Sequence, residues 1–163
     1  MSPETSPAIS PEMSPEIGTV TLAELAAREE IRQLISRYCV AADSGRLDEV
    51  AGLFTPGGHI DFRGGHHVGA DGIGAMFAES GRRLRGNMPP GRLLHTVSTT
   101  DISLLSGEAA KAISYFTVFS GLGADHWGRY RDELVVEGGR WRFAARVITV
   151  DGRIPGGVGE ALA

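Results

Sequence analysis

An α+β domain is predicted by three features of this chain. Residues 21–44 carry one apolar helical face, two shorter helical stretches follow, and from Leu93 onward long strand-like runs are joined by tight turns. Helices first and antiparallel strands after them predict a curved sheet packed around the long first helix. At 163 residues the chain is long enough for one domain with a real core and too short for two comfortable ones.

Residues 1–20 hold Ser2-Pro3, Ser6-Pro7, Ser10-Pro11 and Ser14-Pro15, a proline spacing that forbids regular helix. The reading there is a disordered Ser-Pro-rich tail, with the folded domain at 21–151. Thr21-Leu-Ala-Glu24 is a capping-box signature that starts the first helix. Leu25, Ile31, Leu34, Ile35, Tyr38 and Ala42 fall close to one face, and Ser44-Gly45 predicts the end. A second helix is expected at Leu47–Phe54, broken by Thr55-Pro-Gly-Gly58. His59–Phe62 reads as a short strand, Arg63–His67 as a loop, and a third helix starts near Asp71. Asn87-Met-Pro-Pro-Gly91 ends that helix. Strands follow at Leu93–Leu105, Ala109–Ser120, Arg129–Val136 and Trp141–Val150, with a longer loop at Gly121–Gly128. Residues 152–163 are glycine-rich and read as a flexible C-terminal tail that brushes a pocket mouth.

Composition excludes several function classes. The net charge of −4 gives no broad basic footprint, so no nucleic-acid partner is expected. Cys39 is the single cysteine, which rules out an internal disulfide and a cysteine-rich zinc site and fits a reducing compartment. No apolar run approaches the ~20 residues that span a bilayer, and no secretory leader is recognisable, so a cytoplasmic protein with no membrane partner is expected. The chain carries no glycine-rich phosphate loop, no Gly-x-Ser-x-Gly elbow and no dinucleotide fingerprint in a strand-to-helix context, and no cofactor is expected.

The residues that can do chemistry are few. Tyr38 on the apolar helix face is either a core tyrosine or a phenol that holds a substrate carbonyl. Asp43 is either a turn residue at the helix end or a pocket carboxylate, and lies roughly 140° around an ideal helix from Tyr38. His95 sits in Leu93-Leu-His-Thr-Val97, a run otherwise suited to burial. It is a satisfied core residue or a general base whose tautomer a carboxylate fixes. His59, Asp61, His66 and His67 offer metal-type donors, but their spacing matches no strong zinc pattern, and no metal is expected. Asp132 shares a strand face with Tyr130 and is a second pocket carboxylate or a salt-bridge partner. Arg146, among Phe143, Ala144, Ala145 and Val147, needs a buried carboxylate if it faces inward and snorkels at an edge if it does not. Phe54, Phe77, Tyr115, Phe119 and Tyr130 are the aromatic candidates for a pocket lining, with Asp61, Asp132 and Arg146 as its polar ones.

Two motif groups carry a family resemblance. Arg37-Tyr-Cys-x-Ala-Ala-Asp-Ser-Gly-x-Leu-Asp48 followed by Leu53-Phe54 resembles the start of the SnoaL-like group of the nuclear transport factor 2-like, cystatin-like superfamily. Gly128-Arg-Tyr-Arg-Asp-Glu-Leu134 and Gly139-Arg-Trp-Arg-Phe143 resemble its last two strands. The resemblance spans residues 22–150 and implies a cone. In it a strongly curved, mixed but mostly antiparallel sheet wraps around the N-terminal helix and leaves an apolar cavity. It also implies that Asp43 and His95 form a catalytic dyad and that Tyr38 hydrogen-bonds substrate. The implied activity is a dehydratase-like lyase or isomerase, cofactor-independent, acting on an apolar polycyclic, steroid, terpenoid or polyketide molecule. A polyketide or terpenoid cyclase and a non-catalytic small-molecule-binding dimer module are the alternatives on the same fold. A homodimer through the outer sheet face, or a higher homo-oligomer, is implied by the same likeness.

Overall fold

A computed structural model describes residues 19–84 and 92–161. Most of the Ser-Pro tail, the loop Asn87–Gly91 and residues 162–163 lie outside the described residues. Three helices, α1 (Leu22–Asp43), α2 (Leu47–Gly52) and α3 (Gly69–Leu84), enclose a first hairpin, β1 (Phe54–Phe62) and β2 (Gly65–Val68). Four long strands follow, β3 (Leu94–Leu104), β4 (Ala109–Ser120), β5 (Gly123–Glu137) and β6 (Arg140–Arg153), and then a short helix, α4 (Val158–Ala161). The strands form one mixed sheet in the order β2-β1-β6-β5-β4-β3, in which β1 runs parallel to β6 and the other neighbours are antiparallel. The α+β class and the mostly antiparallel sheet are as expected, and the sheet does not close on itself.

The capping box forms as predicted. Thr21 Oγ1 accepts the Glu24 amide at 3.2 Å while Glu24 Oε2 accepts the Thr21 amide at 2.7 Å. Ile31, Leu34, Ile35 and Tyr38 are buried from α1, and the sheet answers with Ala110, Ala112, Phe116 and Val118 on β4 and Tyr130 and Leu134 on β5. The alternate residues of β4, Lys111, Ile113 and Tyr115, face out.

Four local expectations change. The Arg63–His67 loop is a tight turn at Arg63-Gly64, both at positive φ (56° and 77°), that leads into β2. Phe54 opens β1 instead of ending α2. The Gly121–Gly128 loop shrinks to a two-residue turn, because β5 begins at Gly123 and pairs with the end of β4. Finally, β6 continues to Arg153 and the segment beyond it is docked, with Val158 fully buried, where a flexible tail was expected.

Two bulges set which side chains face the core. Between Glu133 and Leu134 the register of β5 on β6 shifts so that Ala144 has no cross-strand partner. Phe143 and Arg146 therefore both turn inward, and the phase that follows points Ile148 and Val150 the same way. Near the other end, Val118 pairs His126 while Phe119 pairs Ala124, leaving Asp125 as the extra residue. Asp125 and His126 are consequently buried in succession.

Candidate active site

A cavity of about 520 Å³ lies between the end of α1, the inner side of α3 and the concave sheet. Its wall is mostly apolar, with Phe62, Met76, Phe77, Phe116, Ile148 and Val150 prominent. The polar groups on it include Tyr38, Asp43, His95, His126 and Tyr130. A site of this type is the usual place for a small apolar ligand held by a few fixed polar groups.

Asp43 reaches that wall because α1 stops there. Gly45 takes φ +68°, its amide returns to Ala42 at 3.0 Å, and the Arg46 amide returns to Ala41 at 2.9 Å. The helix stays regular to Asp43, and the cavity passes over its end, touching Tyr38 on the flank and Asp43 at the tip. Tyr38 and Asp43, roughly 140° apart around an ideal helix, thereby line one cavity with the last turn intact.

β3 is an edge strand, and an edge leaves backbone amides without a neighbouring strand. Asp43 satisfies one of them. Its Oδ2 accepts the His95 amide at 2.9 Å, and its Oδ1 lies 2.5 Å from His95 Nδ1. Two contacts to one carboxylate fix both the backbone and the ring of His95. A carboxylate only accepts, so the neutral ring carries its proton on Nδ1 and presents the Nε2 lone pair.

Tyr38 is buried, and burial pushes its hydroxyl up to about 12, an effect the nearby Arg146 charge partly opposes. The phenol stays protonated across the physiological range and is available only as a neutral donor or acceptor. Tyr130, stacked on Phe116 at 4.4 Å, is raised well above its ordinary value by the same burial. Burial likewise pushes the Cys39 thiol up to about 11, which makes it an inert core residue.

The remaining predicted residues divide. Phe77 and Tyr130 line the cavity. Asp132 and Arg146 do not reach it: both are fully buried behind the wall and bind each other, Nε to Oδ1 at 2.8 Å and Nη2 to Oδ2 at 2.7 Å. The Arg146 guanidinium sits 4.1–4.2 Å from the ring centroids of Tyr38, Tyr130 and Phe143. Its Nη1 is buried with no hydrogen-bond acceptor among the described residues, and the contact of the guanidinium with the three rings offsets part of that cost. Burial alone would lower the Arg146 pKa, but the Asp132 charge and hydrogen bonds outweigh it and raise it. The pair therefore supports the aromatic wall from behind and does not line the cavity. Phe54 is also set back, packed on Phe143 at 5.0 Å. Tyr115 and Phe119 lie on the outer side of the sheet, 50% and 41% exposed, because their alternation on β4 is opposite to that of Phe116 and Val118.

Asp61 belongs to another cluster on the face opposite Ile60 and Phe62. Its Oδ1 lies 2.5 Å from His66 Nδ1 across the hairpin and its Oδ2 3.8 Å from His59 Nε2. The three donors fall within 4.8 Å of one another and are a set that could hold a divalent ion, outside the cavity.

His126 was missed as a site residue because its segment was read as a loop. Its ring lines the cavity, and its Nδ1 lies 2.9 Å from Asp125 Oδ1. Burial lowers the His126 pKa, with Asp125 opposing, and keeps the imidazole neutral. Burial would raise Asp125, yet hydrogen bonds from His126 and from the Gly159 and Val158 amides hold it below the usual carboxylate range.

Comparison with known proteins agrees with this architecture. Residues 23–147 match the model of the SnoaL-like domain family. An uncharacterized protein of Mycobacterium tuberculosis is 29% identical over 137 residues, covering 80% of this chain and 89% of its own. A Nostoc punctiforme protein of unknown function with a cystatin-like fold superposes with TM-score 0.69 at 21% identity, over 83% of this chain and 97% of its own. A candidate scytalone dehydratase from Novosphingobium aromaticivorans gives TM-score 0.68 at 19% identity, over 81% and 89%. A type 2 hexachlorocyclohexane dehydrochlorinase, LinA, gives 0.67 at 17% identity, over 82% and 91%. At these identities the solved structures establish the shared fold.

Proposed function

Since this chain belongs to the SnoaL-like domain family, we propose that it is a cofactor-independent lyase that eliminates water or another β-substituent from an apolar, ring-containing substrate. The observation that carries the reading is the double grip of Asp43 on His95 at the wall of a largely apolar cavity. His95 Nε2 takes the proton from the carbon next to a carbonyl, the C–H electron pair forms the new double bond, and the β-hydroxyl leaves as water once protonated by the imidazolium. Tyr38 donates to the oxygen on which charge develops, and the apolar surroundings strengthen that bond. A dehydratase-type and a dehydrochlorinase among the proteins of this fold support elimination over other chemistries.

The test is turnover of a panel of bicyclic and tricyclic β-hydroxy ketones, followed by mass spectrometry. Loss of one water is expected, and His95→Ala should reduce the rate by about a hundredfold or more while remaining folded. A folded His95→Ala variant with near-normal turnover would remove His95 as the base. Products of unchanged mass would indicate isomerisation or cyclisation, and compounds bound but recovered intact would indicate a binding module.

A further inference from the structure

The cavity wall carries a second imidazole, His126, that the dyad does not use and that a buried carboxylate, Asp125, backs from behind. Asp125 is completely buried, and its two oxygens are met by two backbone amides and the His126 ring, with the Ser120 hydroxyl adding to them. Oδ2 accepts the Val158 amide at 2.8 Å, Oδ1 accepts the Gly159 amide at 2.8 Å, and Oδ1 also faces His126 Nδ1 at 2.9 Å. The Asp125 carbonyl in turn accepts the Ile154 amide at 2.8 Å. Residues 154–159 thus form a hook that closes on one side chain.

The hook is shaped for this pair. A Cβ at Gly157 would stand 2.9 Å from Asp125 Oδ2, and one at Gly159 would stand 2.7 Å from the His126 Cβ. Side chains there would push the carboxylate or the ring out of place, so the glycines of this segment serve close approach. With Nδ1–H committed to Asp125, the neutral ring of His126 has its lone pair on Nε2, for which no protein donor is present among the described residues. Nε2 is not among the buried unpartnered polar atoms of the described residues, so it opens onto the cavity, where a ligand hydroxyl can supply the donor in place of water.

We infer that His126 is a second polar anchor of the cavity, which accepts a hydrogen bond from a hydroxyl of the ligand, so that the ligand class is an apolar ring system bearing a phenolic, enolic or alcoholic O–H. The inference rests on reading the cavity as the substrate site and adds to it the chemistry of one end of the substrate. Asp125 and the 154–159 hook are positioning elements. They set the tautomer and the direction of the ring and do not touch the ligand themselves.

Two probes that differ by one methyl group test it: 2-naphthol and 2-methoxynaphthalene, titrated into the full chain by calorimetry. The wild type should bind the naphthol about tenfold more tightly, the upper end of the net worth of one hydrogen bond. His126→Phe should bind both probes equally. In the wild type labelled with ¹⁵N-histidine, naphthol should shift the Nε2 resonance of His126, and this second measurement needs no variant to fold. Equal affinities in the wild type, a preference that survives His126→Phe, or a naphthol shift confined to His95 would each overturn the assignment. These readouts involve binding alone. A failed elimination assay leaves them intact, and their failure leaves the His95 turnover test intact.

Discussion

Replacing Arg146 by methionine tests how the wall behind the cavity is held. The guanidinium and the Asp132 carboxylate are both inaccessible, joined by two hydrogen bonds of 2.7–2.8 Å. Arg146→Met keeps most of the volume but leaves the carboxylate buried with no counter-charge, which typically costs about 3–5 kcal/mol. Three ring faces also lose a desolvated cation, which places the expectation at the upper end of that range. For a domain of this length each kcal/mol is about 2–4 °C, so the midpoint of thermal unfolding should fall by at least about 10 °C. The double variant Asp132→Leu/Arg146→Met should recover more than half of the loss, because the expensive species is the lone ion and not the missing pair. Circular dichroism melts of the wild type, the single and the double variant supply the measurement. A single variant within about 3 °C of wild type, or a double variant no better than the single, would refute the argument.

Three further outcomes are expected. Tyr38→Phe should retain the fold and lower turnover on the order of a hundredfold, the usual consequence of deleting one donor to a developing oxyanion; steady-state kinetics beside a melt separates the two effects. His126 has its pKa lowered by burial, so the unfolded chain binds its proton more readily. Stability should therefore decline as pH falls below the ordinary histidine range and level off beneath the folded pKa, and His126→Gln should flatten that part of a melting-temperature profile between pH 7.5 and 5 (range chosen about the ordinary value of roughly 6.5). Gly128→Ala should destabilise by about 3 kcal/mol in urea titrations, since its Cβ would lie 1.9 Å from the Thr149 carbonyl oxygen and the two strands would have to part.

The fold was legible because its signals are local: a capping box, one apolar helical face and strands with plain alternation. The dyad was not legible from local physics alone. Local physics leaves Asp43 as turn residue or pocket carboxylate and His95 as core residue or base, and only the family resemblance places them together, since a contact across 52 positions depends on how the sheet meets the helix. Arg146 shows the limit most clearly. Whether it faces in or out is decided by the bulge at Ala144, and strict alternation carries no mark of an extra residue. The same limit hid His126. A glycine-flanked stretch reads as a loop, yet Asp125 is a bulge inside a long strand. In the sequence Gly157 and Gly159 signal looseness, but their lack of a side chain is what lets the segment pack closely against Asp125 and His126.

The parallel seam between β1 and β6 has a consequence for synthesis. Pairing Phe54 with Phe143 closes a loop of about ninety residues, and no earlier strand can substitute for β6 on that side of β1. On the ribosome the first hairpin therefore waits with a bare flank until β6 has emerged. A nascent chain that stalls after β5 exposes this flank and the unroofed greasy hollow beside it, which makes that stage the one where a holdase would be needed.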